Sequence, residues 1–187
     1  MRFQTEIIMT IRYRQVQASD IDAIMEIESD AFAAGVREDK ALYLKRIRAF
    51  PEGFLIAEDT ASGRIAGYIC SELWNDGHPV SAQTLALGHD PEEAHDYGGT
   101  LFYITSFGTL KAYRGKGIGV ALLDALEATV AEKFPNATRS ALIVSEKWTA
   151  ARHLYAKRGF KEKGRIIDFF TPDGLPAEDA VLMMKPD

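Results

Sequence analysis

Apolar side chains recur along the chain at two periods, and the switches between them predict its elements. Residues 11–16 alternate as a short strand, after which Ala18-Ser19-Asp20 offers N-cap chemistry for a helix. In that helix Ile21, Ile24, Ile27, Ala31 and Phe32 fall at helical spacing, which predicts one buried face ending near Gly35. A second helix is predicted over 39–48, presenting Leu42, Leu44 and Ile47 and closed by Pro51 and Gly53. Residues 54–58 and 64–73 read as two strands joined by the turn chemistry of Asp59-Thr60-Ala61-Ser62-Gly63. Strands are expected over 101–110 and 139–144, with a long helix over 117–134 between them whose face is Ile118, Leu122, Leu126 and Val130. A helix over 149–157 ends at Gly159, and 165–170 with 180–184 form a last hairpin around Pro172-Asp173-Gly174. This order predicts an α/β (α+β) fold on a mixed sheet.

One stretch breaks the pattern. Residues 75–100 are polar and carry Pro79, Gly88, Pro91 and Gly98-Gly99, with a short helix expected around 91–95. A connection this long in a compact domain often serves as a lid or substrate wall. His89 and His95 flank Asp90-Pro91-Glu92-Glu93 and superficially suggest a metal site; without a second pair of ligands they read as exposed polar residues, and no metal is expected.

Composition narrows the class. The chain has 187 residues, 47% of them hydrophobic, enough for one domain with a real core, expected over 10–187. Residues 1–9 are expected to be an N-terminal extension, because a natural-looking chain start begins at Met9, and they hold no secretory h-region. The lone Cys70 alternates within an apolar strand and excludes a disulfide scaffold, so the cytoplasm is the expected compartment. A net charge of −5 argues against a nucleic-acid partner, and no run of about 18 apolar residues predicts a membrane span.

The chemistry-bearing segment is Tyr113-Arg114-Gly115-Lys116-Gly117-Ile118-Gly119-Val120, where a strand ends, three alternating glycines follow and a helix begins. Such a loop can present backbone N–H groups at a helix N-terminus to a phosphate or pyrophosphate, with Arg114 and Lys116 adding positive charge. It is not a Walker A loop, and the third glycine of the dinucleotide fingerprint is replaced by Val120. Taken alone, it reads equally well as a ligand-free turn.

Its surroundings add a resemblance. Arg114-x-x-Gly117-x-Gly119 opening an apolar helix resembles the acetyl-CoA signature of the GNAT superfamily of N-acetyltransferases. Ala151-Arg152-His153-Leu154-Tyr155-Ala156-Lys157-Arg158-Gly159-Phe160 resembles that family's A-x-x-L-Y-x-K-x-G-F hallmark. The match in element order covers about 10–186 and implies a mostly antiparallel sheet of about seven strands flanked by helices. It also implies acetyl-CoA as co-substrate, its pyrophosphate on the amides of Gly115, Lys116, Gly117, Ile118, Gly119 and Val120 beside Arg114. The pantetheine arm would lie along Phe107, Gly108 and Thr109, in a gap between that strand and 139–144. Gly108 reads either as a close backbone approach there or as a packing glycine. Tyr155 matches the family's general acid, while Lys157 and Arg158 fall near the expected 3′-phosphate. Trp148 stands where relatives often have asparagine, so its cofactor contact is either stacking or absent. Relatives of this kind often form homodimers through sheet edges.

The base does not transfer so simply. The strand after the loop helix, Ser140-Ala141-Leu142-Ile143-Val144, holds no acid, and none follows before Glu146. Glu26-Ile27-Glu28-Ser29-Asp30-Ala31-Phe32 and Ser71-Glu72-Leu73-Trp74 resemble the arylalkylamine N-acetyltransferases, but the positions of that branch's two relay histidines hold Tyr103 and Thr105. Glu28 and Glu72 remain as candidate bases, each also readable as a structural carboxylate. Phe32, Trp74, Tyr97 and Tyr103 near the expected pocket suit a small, possibly arylalkyl, amine substrate. Asp168-Phe169-Phe170-Thr171-Pro172-Asp173-Gly174 is similar to the hairpin of ribosomal-protein alanine acetyltransferases, which keeps a protein N-terminus as an alternative acceptor. A non-catalytic acyl-CoA sensor is the alternative from another class.

Overall fold

The computed structural model describes residues 10–185; the extension expected at 1–9 lies outside them. Seven strands, β1 (Ile11–Gln15), β2 (Phe54–Asp59), β3 (Arg64–Trp74), β4 (Leu101–Thr109), β5 (Arg139–Ser145), β6 (Lys161–Phe170) and β7 (Glu178–Lys185), form one sheet in the order β1-β2-β3-β4-β5-β7-β6. Neighbours are antiparallel except β4 with β5. This is the mixed, mostly antiparallel sheet that the patterning and the resemblance predict. Strand β6 starts at Lys161 rather than 165, because Lys161-Glu162-Lys163 faces solvent at the sheet edge and carries no apolar alternation.

Alternation along β2 and β3 divides the core between two faces. Phe54, Ile56, Tyr68 and Cys70 meet Ile21, Ile24 and Ile27 of α1 (Ile21–Ala31) and Tyr43 and Ile47 of α2 (Lys40–Ala49). Leu55, Ala57, Ile69 and Leu73 meet Leu122, Leu123, Leu126 and Val130 on the other face, all four from one long helix that follows the glycine loop. The buried face of α2 is Tyr43, Arg46 and Ile47, not the predicted Leu42 and Leu44. The helix is turned so that a charged side chain goes inward. Helix α1 stops at Ala31, short of Gly35, which instead takes a left-handed φ of +84° where the 33–39 connection touches the 171–175 turn. A Cβ on Gly35 would stand 2.5 Å from the Thr171 carbonyl oxygen.

The 75–100 connection folds back on the sheet. It carries only a four-residue helix, α3 (Pro91–Ala94), but the Asp96 and Thr100 amides donate to the carbonyls of Leu73 and Trp74. Leu85 and Ala94 bury against Trp74, Leu101 and Tyr103. Polar composition conceals a wall with its own small core. No helix among the described residues is long and apolar enough to cross a membrane.

Two irregularities open the middle of the sheet. Parallel pairing of β4 with β5 runs from Leu101/Arg139 to Ile104/Leu142 and stops. At that height Cys70 faces Ser106 while Ser71 faces Ile104, so Thr105 is the extra residue of a bulge in β4. Beyond it, residues 105–109 keep β3 on one side and, among the described residues, have no strand on the other.

Candidate active site

A cavity of about 700 Å³ fills that opening. One end is bounded by residues 105–109 and 142–144, by the glycine loop, and by the start of α5 (Thr149–Lys157). The other reaches Glu28 of α1, Phe32 just beyond its end, Tyr103, and Leu85, Ala86, Leu87 and His89 of the 75–100 connection.

The glycine loop is built to leave donors free. Gly115 and Gly117 have left-handed φ angles of +74° and +78°, with no atom near enough to contact an added Cβ, so conformation rather than space requires glycine there. Gly117 caps α4 (Ile118–Lys133) without a side-chain acceptor. Among the described residues, the amides of 115–120 donate to no protein group. Six free amides at the positive end of a four-turn helix suit a pyrophosphate. Gly119 differs, since its Cβ would come 3.1 Å from the Phe107 ring. Arg114 lines the cavity and donates through Nε to Thr109 O (3.2 Å), whereas Lys116 Nζ lies 5.1 Å over the Tyr113 ring, outside the lining.

Gly108 lines the cavity, and a Cβ there would sit 2.8 Å from Ile27 Cγ2. Tyr155 lines the cavity, packed near Phe107 and Phe160, and its hydroxyl has no hydrogen-bond partner among the described residues. Burial pushes its pKa well above the ordinary phenol range, so it holds its proton at neutral pH. Trp148 packs between Phe32 and Phe170, with ring centroids 5.3 and 5.2 Å away, and also lines the cavity. Arg158 is paired with Asp124 at 2.7 Å, which occupies its guanidinium.

The candidate carboxylates fare differently. Glu28 faces the cavity, is buried, and accepts from the Tyr68 hydroxyl and the Glu38 amide (3.4 Å). The Tyr43 and Tyr68 hydroxyls are 2.8 Å apart, and both reach Ser106 Oγ. Burial raises the Glu28 pKa, partly offset by the Tyr68 and Tyr43 hydroxyls. Glu72 lies outside the lining; it accepts from Arg46 (2.6 Å), Trp74 Nε1 (2.8 Å) and His89 Nε2 (2.9 Å). Burial works to raise its pKa, but His89 and Arg46 outweigh it and hold Glu72 below the ordinary value. A carboxylate so satisfied makes a poor proton acceptor.

Other expectations need correction. Trp74 is fully buried behind Tyr103, 4.3 Å between centroids, and does not line the cavity. Tyr97 is exposed and packs on Phe50 and Phe134, away from the cavity. Tyr103 does line the cavity, and its hydroxyl has no partner among the described residues. Cys70 is buried outside the lining, and burial pushes its thiol up to about 12. His89 and His95 are not exposed polar residues: His95 Nδ1 accepts from the Leu73 amide, and His89 pairs with Glu72. Sequence reasoning missed Tyr68, Ser106, Arg46 and Glu38. Glu72, an acid within an apolar strand, was the one available signal that a buried cation must exist.

Comparison with known proteins finds a family and relatives that span most of the chain. The family described as acetyltransferase (GNAT) matches residues 21–160. An uncharacterized N-acetyltransferase of Methanocaldococcus jannaschii is 30% identical over 173 residues, covering 92% of this chain and 89% of its own. An N-alpha-acetyltransferase of Sulfurisphaera tokodaii is 29% identical over 177 residues, covering 94% and 92%. Among solved structures, a GNAT-like decarboxylase in complex with isobutyryl-CoA superposes with a TM-score of 0.73 at 19% identity, covering 94% of this chain and 98% of its own.

Proposed function

This chain belongs to the acetyltransferase (GNAT) family and is an acetyl-CoA-dependent N-acetyltransferase, and from that premise we propose a small, amphipathic primary amine as its acceptor. The observation that carries the reading is one cavity shared by the free-amide loop, the unpartnered Tyr155 hydroxyl and the buried Glu28 carboxylate. Acceptor size is argued from the walls. Phe32, Val36, Leu85, Leu87 and Tyr103 enclose the Glu28 end, and the Asp173 amide donates to Ala34 O (2.8 Å), tying the two loops beside it together. An apolar body with one cationic head fits an apolar chamber holding a carboxylate.

Acetyl-CoA supplies an activated acyl carbon and a thiolate leaving group. The loop amides of 115–120 and Arg114 hold its pyrophosphate, and the unpaired edge of β4 over Phe107, Gly108 and Thr109 accompanies its arm. Glu28 takes the proton of the incoming ammonium so that the amine nitrogen can form the new N–C bond. Tyr155 gives its proton to the departing sulfur as the C–S bond breaks, and the second proton shed by the acylated nitrogen restores the phenol, leaving the one on Glu28 to be released to solvent. Holding both substrates in one cavity removes much of the entropic barrier of a bimolecular step.

Acetyl-CoA turnover across arylalkylamines, aliphatic diamines and short peptides with free N-termini tests the acceptor. Arylalkylamines are expected to give the highest kcat/KM; failure with every amine despite CoA binding would overturn the reading. The 29% identity to an N-alpha-acetyltransferase favours a second reading, a polypeptide N-terminus, and peptides outpacing every small amine would establish it. The cofactor assignment has its own check. Gly117→Ala forces an L residue into the left-handed region at a cost of about 1–2 kcal/mol. It is expected to raise the KM for acetyl-CoA about 5- to 30-fold and leave the acceptor KM unchanged.

A further inference from the structure

The 75–100 connection touches the acceptor end through Leu85, Ala86, Leu87 and His89, and one buried ionic cluster holds that stretch in place. His89 Nδ1 lies 3.0 Å from Ala86 O, and its Nε2 lies 2.9 and 3.0 Å from the two Glu72 oxygens. A backbone carbonyl and a carboxylate only accept, so each ring nitrogen must carry a proton, and only the imidazolium has two. Glu72 is bound on its far side by Arg46, which grips Glu38 at 2.9 and 3.0 Å. Glu38 closes the circuit by accepting the Gly88 amide at 2.9 Å. His89 and Arg46 thus balance Glu72 and Glu38, all four largely shielded from water.

We propose that the His89 imidazolium is a positioning residue that clamps residues 84–89 as the wall of the acceptor pocket, so that acceptor affinity falls when His89 loses its proton. The inference rests on the acceptor reading above. The groups facing His89 are Glu72 of β3, Arg46 of α2, Glu38 of the 33–39 connection and the Tyr103 ring of β4; the adjacent Asp90 is occupied by Lys45. Burial alone would lower the His89 pKa, but the Glu72 carboxylate outweighs it and holds His89 above the ordinary histidine value. Deprotonation removes one of the two donors and leaves the cluster with an excess negative charge. Either Ala86 O loses the His89 ring donor or Glu72 loses one of its three donors, keeping Arg46 and Trp74, and the segment loses a fastening. Acetyl-CoA binds at the other end, so its affinity is untouched.

Two measurements test this on the full-length protein. The first follows the His89 ring protons by NMR from about pH 5 to 9 and, over the same range, amide exchange at 84–89 corrected for its intrinsic pH dependence. His89 is expected to titrate above about 6.5, with protection at 84–89 falling about tenfold as it does, the size of one charge-assisted hydrogen bond. The second is His89→Gln, which is expected to show that low protection at every pH, with the acceptor KM raised about tenfold and kcat and the acetyl-CoA KM within about twofold of wild type. Wild-type protection in the Gln variant, an equal rise in both KM values, or exchange that ignores the His89 titration would each overturn the clamp. Should no amine be turned over, the acceptor reading fails by itself, and the titration and exchange of the unmodified protein still decide the inference.

Discussion

Glu28→Gln is expected to lower kcat/KM for the acceptor by about 10²- to 10⁴-fold near neutral pH, the range of a lost general base. The amide keeps the shape of the side chain and can still accept from Tyr68. What it cannot do is take a proton. In the wild-type enzyme the acid limb of kcat/KM should lie above the ordinary carboxylate range, because burial raises Glu28 and only its ionised form is a base. In the variant that limb disappears, and activity climbs with pH as more amine arrives already deprotonated. The deficit therefore shrinks toward alkaline pH, a signature that a merely structural loss does not produce.

Stability should move the other way. A carboxyl whose folded pKa is raised contributes stability below its unfolded value, near 4.3, and that contribution is lost as pH rises through the folded value. At neutral pH an ionised Glu28 is therefore a burden on the fold, and Gln removes it. The expected pairing is a Tm equal to or above wild type with a collapsed rate, the pattern of a residue retained for function at a cost in stability. A variant that loses activity and Tm together would return Glu28 to a structural role.

Glu28 also marks how far local patterning reaches. It lies four residues after Ile24 on the buried stripe of α1, so its burial was legible from spacing. The glycine loop was legible for the same reason, since a positive φ and a helix start are written in contiguous residues; Tyr155 was singled out by its match to a family motif and not by local patterning. Arg46, Glu72 and His89 were not, because they come from α2, β3 and the 75–100 connection and meet only after the sheet closes. Each read singly belongs on a surface; only their mutual neutralisation permits burial. The same blindness misplaced Trp74 and Tyr97. Both lie near the long connection in sequence, yet Trp74 supports Tyr103 from behind and Tyr97 faces out. Leu42 and Leu44 misled because helical spacing does not say which stripe turns inward when a buried arginine must reach two carboxylates.

Tyr155→Phe is expected to lower kcat about 10²-fold or more with the KM for acetyl-CoA largely kept. The hydroxyl has no hydrogen-bond partner among the described residues, so its removal strands no buried group, and the phenyl ring still packs near Phe107 and Phe160. Stability should therefore change little, which separates this prediction from a packing defect. The chemistry supplies a sharper control. An acid that protonates the departing sulfur matters less when that sulfur is already a good leaving group. With acyl donors of increasingly acidic thiols, the gap between Tyr155→Phe and wild type should narrow steadily, because the thiolate departs without help. The wild-type rate should also show no alkaline limb from this phenol across the ordinary tyrosine range, since burial holds its proton well beyond it. A deficit that stays constant across the donor series would mean that the hydroxyl orients the cofactor rather than giving up its proton, and the acid would have to be sought in water entering along the open edge of β4.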